Sequence, residues 1–290
     1  SILCLVVKVQ LFAEDSSMTE SELVSSAAKI KMLLGWNRTS YFLLSGFFAV
    51  ILLIVIVWWP LAEEYLASYN PEMSFWVQMD WLLLGIFFAM SLLIMGGADW
   101  KKDLWIILIG LCGGLVIESW GTQTQIWVYY TQERPPLWII PAWPIASLSI
   151  DRIVRLLSAF IPGENSRIWE VLYWPMFFGF GALMLVFVMP TIDKPMTLAA
   201  LLITLLLALL NNQHRLTVLT FAAGAGLGYF LELWGTTRAC WTYYTLETPP
   251  LFAVLAHGLA AVAFWRAGLA LKPPLLYLRG KFIRDQGTRL

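Results

Sequence analysis

Gly114-Leu-Val-Ile-Glu118-Ser-Trp120-Gly121-Thr122 recurs further along the chain as Gly228-Tyr-Phe-Leu-Glu232-Leu-Trp234-Gly235-Thr236. Aligned without gaps, the windows 114–137 and 228–251 agree at 13 of 24 positions. Beyond the five identities in the quoted strips, they share Trp127/Trp241, Tyr129/Tyr243, Tyr130/Tyr244, Thr131/Thr245, Glu133/Glu247, Pro135/Pro249, Pro136/Pro250 and Leu137/Leu251. Self-similarity at one offset reads as a tandem duplication. What both copies keep is mostly polar and aromatic, although each copy sits in an apolar segment. Any chemistry of the chain belongs in these two strips.

Composition sets the class. Hydrophobic residues make up 59% and charged residues 13% of the 290, and mean hydropathy is +0.72, far from a soluble domain. Apolar runs long enough to cross about 30 Å of hydrocarbon recur at 41–60, 80–97, 104–121, 137–157, 170–190, 195–211, 215–234 and 250–271. The expected fold is therefore an all-α polytopic membrane protein of about eight transmembrane helices. An even number of spans per copy makes the two four-helix repeats parallel, related by a pseudo-two-fold axis along the membrane normal. The expected layout is a cytoplasmic segment 1–40, repeat one at 41–160, repeat two at 161–271, and a basic tail at 272–290.

Loop charge predicts orientation. Lys29, Lys31, Arg38, Lys101, Lys102, Arg152, Arg155, Arg167, Arg215 and the tail cations fall on one side, leaving Arg134, Lys194 and Arg238 on the other. That puts both termini in the cytoplasm of a cell whose inner membrane holds the chain. Met18 opens a polar stretch that resembles a start, and residues 1–17 do not read as a signal peptide. A net charge of zero gives no basis for nucleic-acid binding. Three scattered cysteines and two histidines form no metal or redox pattern. Cys112 reads as a buried thiol. The expected partners are membrane lipids and a membrane protein complex, with no metal and no cofactor required.

Positions four apart share a helix face. Gly110, Gly114 and Glu118 form one such line, continued by Gly121, and Gly224, Gly228, Glu232 and Gly235 form another. A Gly-x-x-x-Gly face admits a close neighbour. That neighbour is either the other glycine-lined helix or an equivalent helix in each copy. Glu118 lies 15 residues beyond Asp103, roughly 22 Å along a helix at 1.5 Å per residue. A carboxylate at that depth costs about 2.5–3.5 kcal/mol on insertion scales and commonly marks a site.

Glu118 and Glu232 are thus the candidate acids, able to donate a proton or merely to fasten helices by accepting from indole N–H groups. The aromatic residues Trp120, Trp127, Tyr129, Tyr130, Trp234, Trp241, Tyr243 and Tyr244 read either as a membrane-interface belt or as the lining of a cleft for a long apolar ligand. His257, which aligns with Trp143, is a further ligand-binding candidate, or a hydrogen-bonded core histidine. Arg152 aligns with Arg266 near the far ends of their spans, where arginines anchor at the interface.

Glu-x-x-Gly-Thr, an aromatic-x-Tyr about ten residues after the Glu, and a Pro-containing turn into an apolar helix resemble the integral-membrane carotenoid biosynthesis proteins. These are the carotenoid hydratases and, more distantly, the small membrane lycopene cyclases. The matching positions are Glu118, Gly121, Trp127, Tyr129 and Pro141, then Glu232, Gly235, Trp241 and Tyr243. The chain departs from the cyclases in lacking an acidic pair after the Pro, and from the hydratases in having Trp without Gly in place of Phe-Gly. The resemblance implies an isoprenoid or carotenoid ligand and acid-catalysed hydration or cyclisation. A non-catalytic lipid- or pigment-binding subunit and a proton-coupled carrier are the other readings the residues leave open.

Overall fold

In the computed structural model, residues 35–161, 163, 166–209 and 213–287 are described, with side chains to residue 271. The expectation for residues 1–17 lies outside this description, and of the expected basic tail residues 272–287 continue the last helix. The chain is a mostly helical membrane protein. Its helices are α1 (Arg38–Val57), α2 (Trp59–Ala67), α3 (Phe75–Gln78), α4 (Trp81–Met95), α5 (Trp100–Gln123), α6 (Ala142–Phe160), α7 (Arg167–Val188), α8 (Pro195–Leu209), α9 (His214–Thr237) and α10 (Leu251–Gly287). Among the described residues there are also a 3-10 turn at Met189–Thr191 and two three-residue strands, β1 (Trp127–Tyr129) and β2 (Trp241–Tyr243).

Helix occupies each of the eight apolar runs, and among the described residues five helical segments are long and apolar enough to cross a membrane: Arg38–Val57, Trp100–Gln123, Arg167–Thr191, His214–Thr237 and Leu251–Leu271. α4 and α8 are equally apolar but 15 residues each, about 22 Å at 1.5 Å per residue. α6 carries Asp151, Arg152 and Arg155 in its second half, which lowers its apolarity.

Starts are set by side-chain caps, which satisfy N–H groups that lack intrahelical partners. Asn37 and Ser40 form a reciprocal capping box on α1. Asp80 accepts from Leu83 N at the head of α4. Asp99 accepts from Lys101 N and Lys102 N at the head of α5.

The glycine faces settle which helices approach closely. A Cβ on Gly110 would stand 2.9 Å from Pro144 Cα, and one on Gly114 would stand 2.4 Å from Trp143 Cγ. On α9, Gly224 would meet His257 O at 2.7 Å and Gly228 would meet His257 Cβ at 2.5 Å. Each glycine face therefore receives the helix that follows it, α6 against α5 and α10 against α9. The glycine-lined helices do not use these faces on each other. α6 and α9 also pack together, and α10 closes back on α5.

Arg152 is not an interface anchor. It is buried at 3% exposure beside the fully buried Asp103, with Nη1 donating to Oδ1 at 2.9 Å and Nη2 to Oδ2 at 2.7 Å. Nη1 also reaches Asp151 at 2.7 Å, and Arg155 and Lys102 close on Asp151 from its other sides. The network ties the head of α5 to the second half of α6. Cys112 differs from expectation too, being exposed, whereas Cys240 is buried.

Candidate functional site

The strips that follow α5 and α9 fold alike. Two residues past the end of each helix the backbone takes a positive φ, at Gln125 (+60°) and Ala239 (+52°). The chain then turns back so that Ile126 N donates to Gly121 O and Cys240 N to Gly235 O, both at 2.9 Å. A second positive φ follows each strand, at Gln132 and Leu246, and the peptides Arg134–Pro135 and Thr248–Pro249 are both cis.

β1 and β2 pair antiparallel, Trp127 opposite Tyr243, Val128 opposite Thr242 and Tyr129 opposite Trp241. Val128 and Thr242 occupy equivalent positions of the two strips, so the ribbon has local two-fold symmetry about that pair. The flanking Trp–Tyr ring pairs have identical geometry, with centroids 5.8 Å apart at 53°.

The turn-back aims the ribbon's aromatic side chains at the glutamates. Glu118 Oε2 accepts from Trp127 Nε1 at 3.1 Å, and its Oε1 accepts from Tyr129 OH at 2.9 Å and Trp143 Nε1 at 3.1 Å. Glu232 Oε2 accepts from Trp241 Nε1 at 2.9 Å, and its Oε1 accepts from Tyr243 OH at 2.9 Å. His257 Nε2 is 2.9 Å from that Oε1 as well. Each carboxylate is buried and engaged by three groups, which meets the requirement that a buried carboxyl be hydrogen-bonded. Burial foremost, then the adjoining carboxylate, pushes the Tyr129 and Tyr243 phenols well above their ordinary value. Both therefore stay protonated donors.

Trp143 and His257 each stand 25 residues past their glutamate. Their rings stack on one another, centroids 5.8 Å apart at 16°. The two carboxylates are therefore linked through the stack as well as through the ribbon, and the stack is where the two halves differ chemically. Trp143 was not among the sequence candidates. It aligns with a histidine, so identity between copies could not reveal it, but its equal spacing from the glutamate could have.

Below this pair lies a cleft of about 1160 Å³, above the ~300–1,000 Å³ common for drug-sized ligands. Glu118, Glu232, Trp120, Trp127, Tyr129, Trp241, Tyr243 and His257 all line it, as does Trp143. Its walls run down α5 to Trp105 and down α10 to Leu271, and α7 and α8 contribute Phe180, Met184 and Ile203. Trp105 lies 13 residues from Glu118, about 20 Å along the helix.

The remaining candidates serve elsewhere. Tyr130 OH donates to Val57 O at the end of α1, and Tyr244 OH donates to Phe187 O on α7 at 2.6 Å. Trp234 donates to Asp80 at 2.8 Å and stacks on Trp58. These three pin the ribbon and α9 to neighbouring helices.

Comparison with known proteins adds no relative: no family model, curated protein or solved structure matches the chain.

Proposed function

We propose that this chain binds an elongated isoprenoid or carotenoid-like lipid within the bilayer, with one end of the ligand at the Glu118/Glu232 pair. The observation that carries the reading is the cleft itself: long, walled by apolar side chains, and ended by two buried carboxylates under an aromatic ribbon. A ligand that fills it must be mostly hydrocarbon, because burying polar groups against such walls without partners is costly.

The same reading takes the eight helical runs as eight spans, in two parallel four-helix halves about an axis through the Val128–Thr242 pair. The matching ribbon geometry and the matching glycine contacts of α5 and α9 support it. The excess of Lys and Arg on one side supports cytoplasmic termini in an inner membrane.

The chemistry implied by the resemblance is protonation of a carbon–carbon double bond by a glutamic acid, with aromatic faces sheltering the cation. A second reading has its own observation. Three partners on each carboxylate are what a fastening role requires, so the protein also fits a non-catalytic lipid- or pigment-binding subunit of a membrane complex.

Lipid and pigment profiles of cells carrying Glu118→Gln with Glu232→Gln separate the two. Accumulation of a less hydrated or uncyclised precursor is the result expected of the enzyme. Unchanged pigments, with a partner complex that comes apart on purification, are the result expected of the subunit. Unchanged lipids together with an intact protein that still excludes isoprenoids would contradict both.

A further inference from the structure

Glu118 and Glu232 are equally buried and each has three partners, but the partners differ in what they can do with a proton. Glu118 meets an indole N–H on each oxygen, Trp127 Nε1 on Oε2 and Trp143 Nε1 on Oε1, with Tyr129 OH as a second donor on Oε1. An indole nitrogen donates and does not accept. Both oxygens of Glu118 are therefore set against groups that only a lone pair satisfies, which is the hydrogen-bonding pattern of an anion.

Glu232 keeps one indole donor, Trp241 Nε1 on Oε2. Its Oε1 faces Tyr243 OH and His257 Nε2, each at 2.9 Å. Imidazole nitrogen accepts in one tautomer and donates in the other, and it exchanges protons near neutral pH. With a proton on Oε1, every contact of Glu232 is kept. Trp241 still donates to Oε2, Tyr243 still donates to Oε1, and the new O–H points at Nε2. The same proton on Glu118 finds no ring nitrogen that can accept it.

One exchange between the halves makes this difference, since Trp143 of the first aligns with His257 of the second. Both rings line the cleft, stacked on each other. The His257 side chain is 19% exposed and that of Glu232 5%, so the imidazole meets the cleft while it holds the carboxyl. The other titratable groups lining this end are Glu118 and the Tyr129 and Tyr243 phenols, which stay protonated.

We propose that the two carboxyls divide the work: Glu232, sharing a proton with His257, is the proton donor of the site, and Glu118 is the fixed anion opposite it. This rests on the reading of the cleft as a lipid site and assigns the acid within it. The Glu232 Oε1–H bond breaks as a C–H bond forms at a ligand double bond, whose π electrons supply the new bond. A carbocation and the Glu232 carboxylate result, with the Glu118 carboxylate and the aromatic faces beside the positive charge. Water adding to the cation, or loss of a proton from its carbon skeleton, releases one proton. His257 Nε2 takes it up and returns it to Oε1, so water is the only co-reactant.

The test reads where the proton sits, in the full chain purified in detergent at neutral pH. Infrared spectra of the wild type should show a protonated-carboxyl stretch that shifts in heavy water, is lost in Glu232→Gln and is kept in Glu118→Gln. His257→Trp, which gives Glu232 the partners of Glu118, should abolish it too, a loss that a merely structural histidine would not produce. Gel filtration checks that each variant is intact. In the wild type, NMR of the labelled imidazole nitrogens, assigned with His214→Gln, should show Nε2 of His257 accepting and without a proton of its own. An imidazolium at His257 with no carboxyl band would put the same proton on the nitrogen side of the pair and supports the proposal.

A band lost in Glu118→Gln, a band that survives His257→Trp, or a neutral His257 carrying its proton on Nε2 would overturn it. Bound lipid is scored on the same samples by native mass spectrometry with added geranylgeraniol. Any of those three results with lipid bound would overturn the division of roles and leave the lipid site standing. A proton held by the pair in a chain that binds no lipid would support the pair and overturn the lipid reading.

Discussion

Asp103→Ala should be among the most destabilising single substitutions in the chain, by about 3–5 kcal/mol, because it strands a buried guanidinium. Asp103 is fully buried and accepts both Nη groups of Arg152, which is itself 3% exposed. Asp151 would remain at 2.7 Å from Nη1, but it already serves Arg155 and Lys102 and cannot replace the bidentate pair. Arg152→Ala should cost a similar amount by stranding the carboxylate.

The double variant Asp103→Leu with Arg152→Met should recover much of the loss, since two apolar groups need no partner. A double-mutant cycle in the denaturation of the detergent-solubilised protein reads this as a coupling of opposite sign to the single losses. Additive losses would mean that the pair does not act as a unit. Removing the ion pair should also loosen α5 against α6 and so disturb the cleft wall that α5 forms.

Gly121→Ala is the second large expected effect. An added Cβ would stand 1.8–2.1 Å from three ring carbons of Trp127, so the ring must leave. Trp127 is held by Glu118 at its indole nitrogen and packs on Trp120 and Tyr243. Overpacking of this kind costs about 1–3 kcal/mol, and a displaced donor adds about 1–3 kcal/mol for the partner left unmet. Gly235→Ala meets Trp241 in the same way at 2.0–2.4 Å and should behave alike.

Gly46→Ala and Gly179→Ala are the controls. A Cβ at either meets nothing within 4 Å, and alanine favours helix over glycine by about 1 kcal/mol. Thermal denaturation should fall sharply for the first pair of variants and hold or rise for the second. If all four were alike, the ring packing against Gly121 and Gly235 would not be what fastens the ribbon.

Much of this was legible from residue order because it is local. Apolar runs are contiguous and become helices. Gly110, Gly114 and Glu118 share a face by helical phase alone, and Trp127 and Tyr129 follow within eleven residues of the acid they bond. What joins distant segments was not legible. Nothing in Trp127-Val-Tyr129 announces a strand, and its partner is more than a hundred residues away. Asp103 and Arg152 are 49 residues apart, so Arg152 looked like an arginine at a membrane surface until its partner was seen.

The glycine faces left two packings open, and the side chains of Trp143 and His257 decide between them. Copies that stay identical point to Glu118 and Glu232. Trp143 and His257 show their importance through placement, at a position where the halves have diverged.

An elongated lipid in the cleft below Glu118 and Glu232, as proposed, would be visible in a cryo-electron microscopy map of the wild-type protein in native-lipid nanodiscs. The expected result is continuous, elongated non-protein density between α5, α8 and α10, ending beside Glu118 and Glu232. A map in which side chains of those helices close the space, with Glu118 and Glu232 sealed in protein and no density along α10, would contradict it.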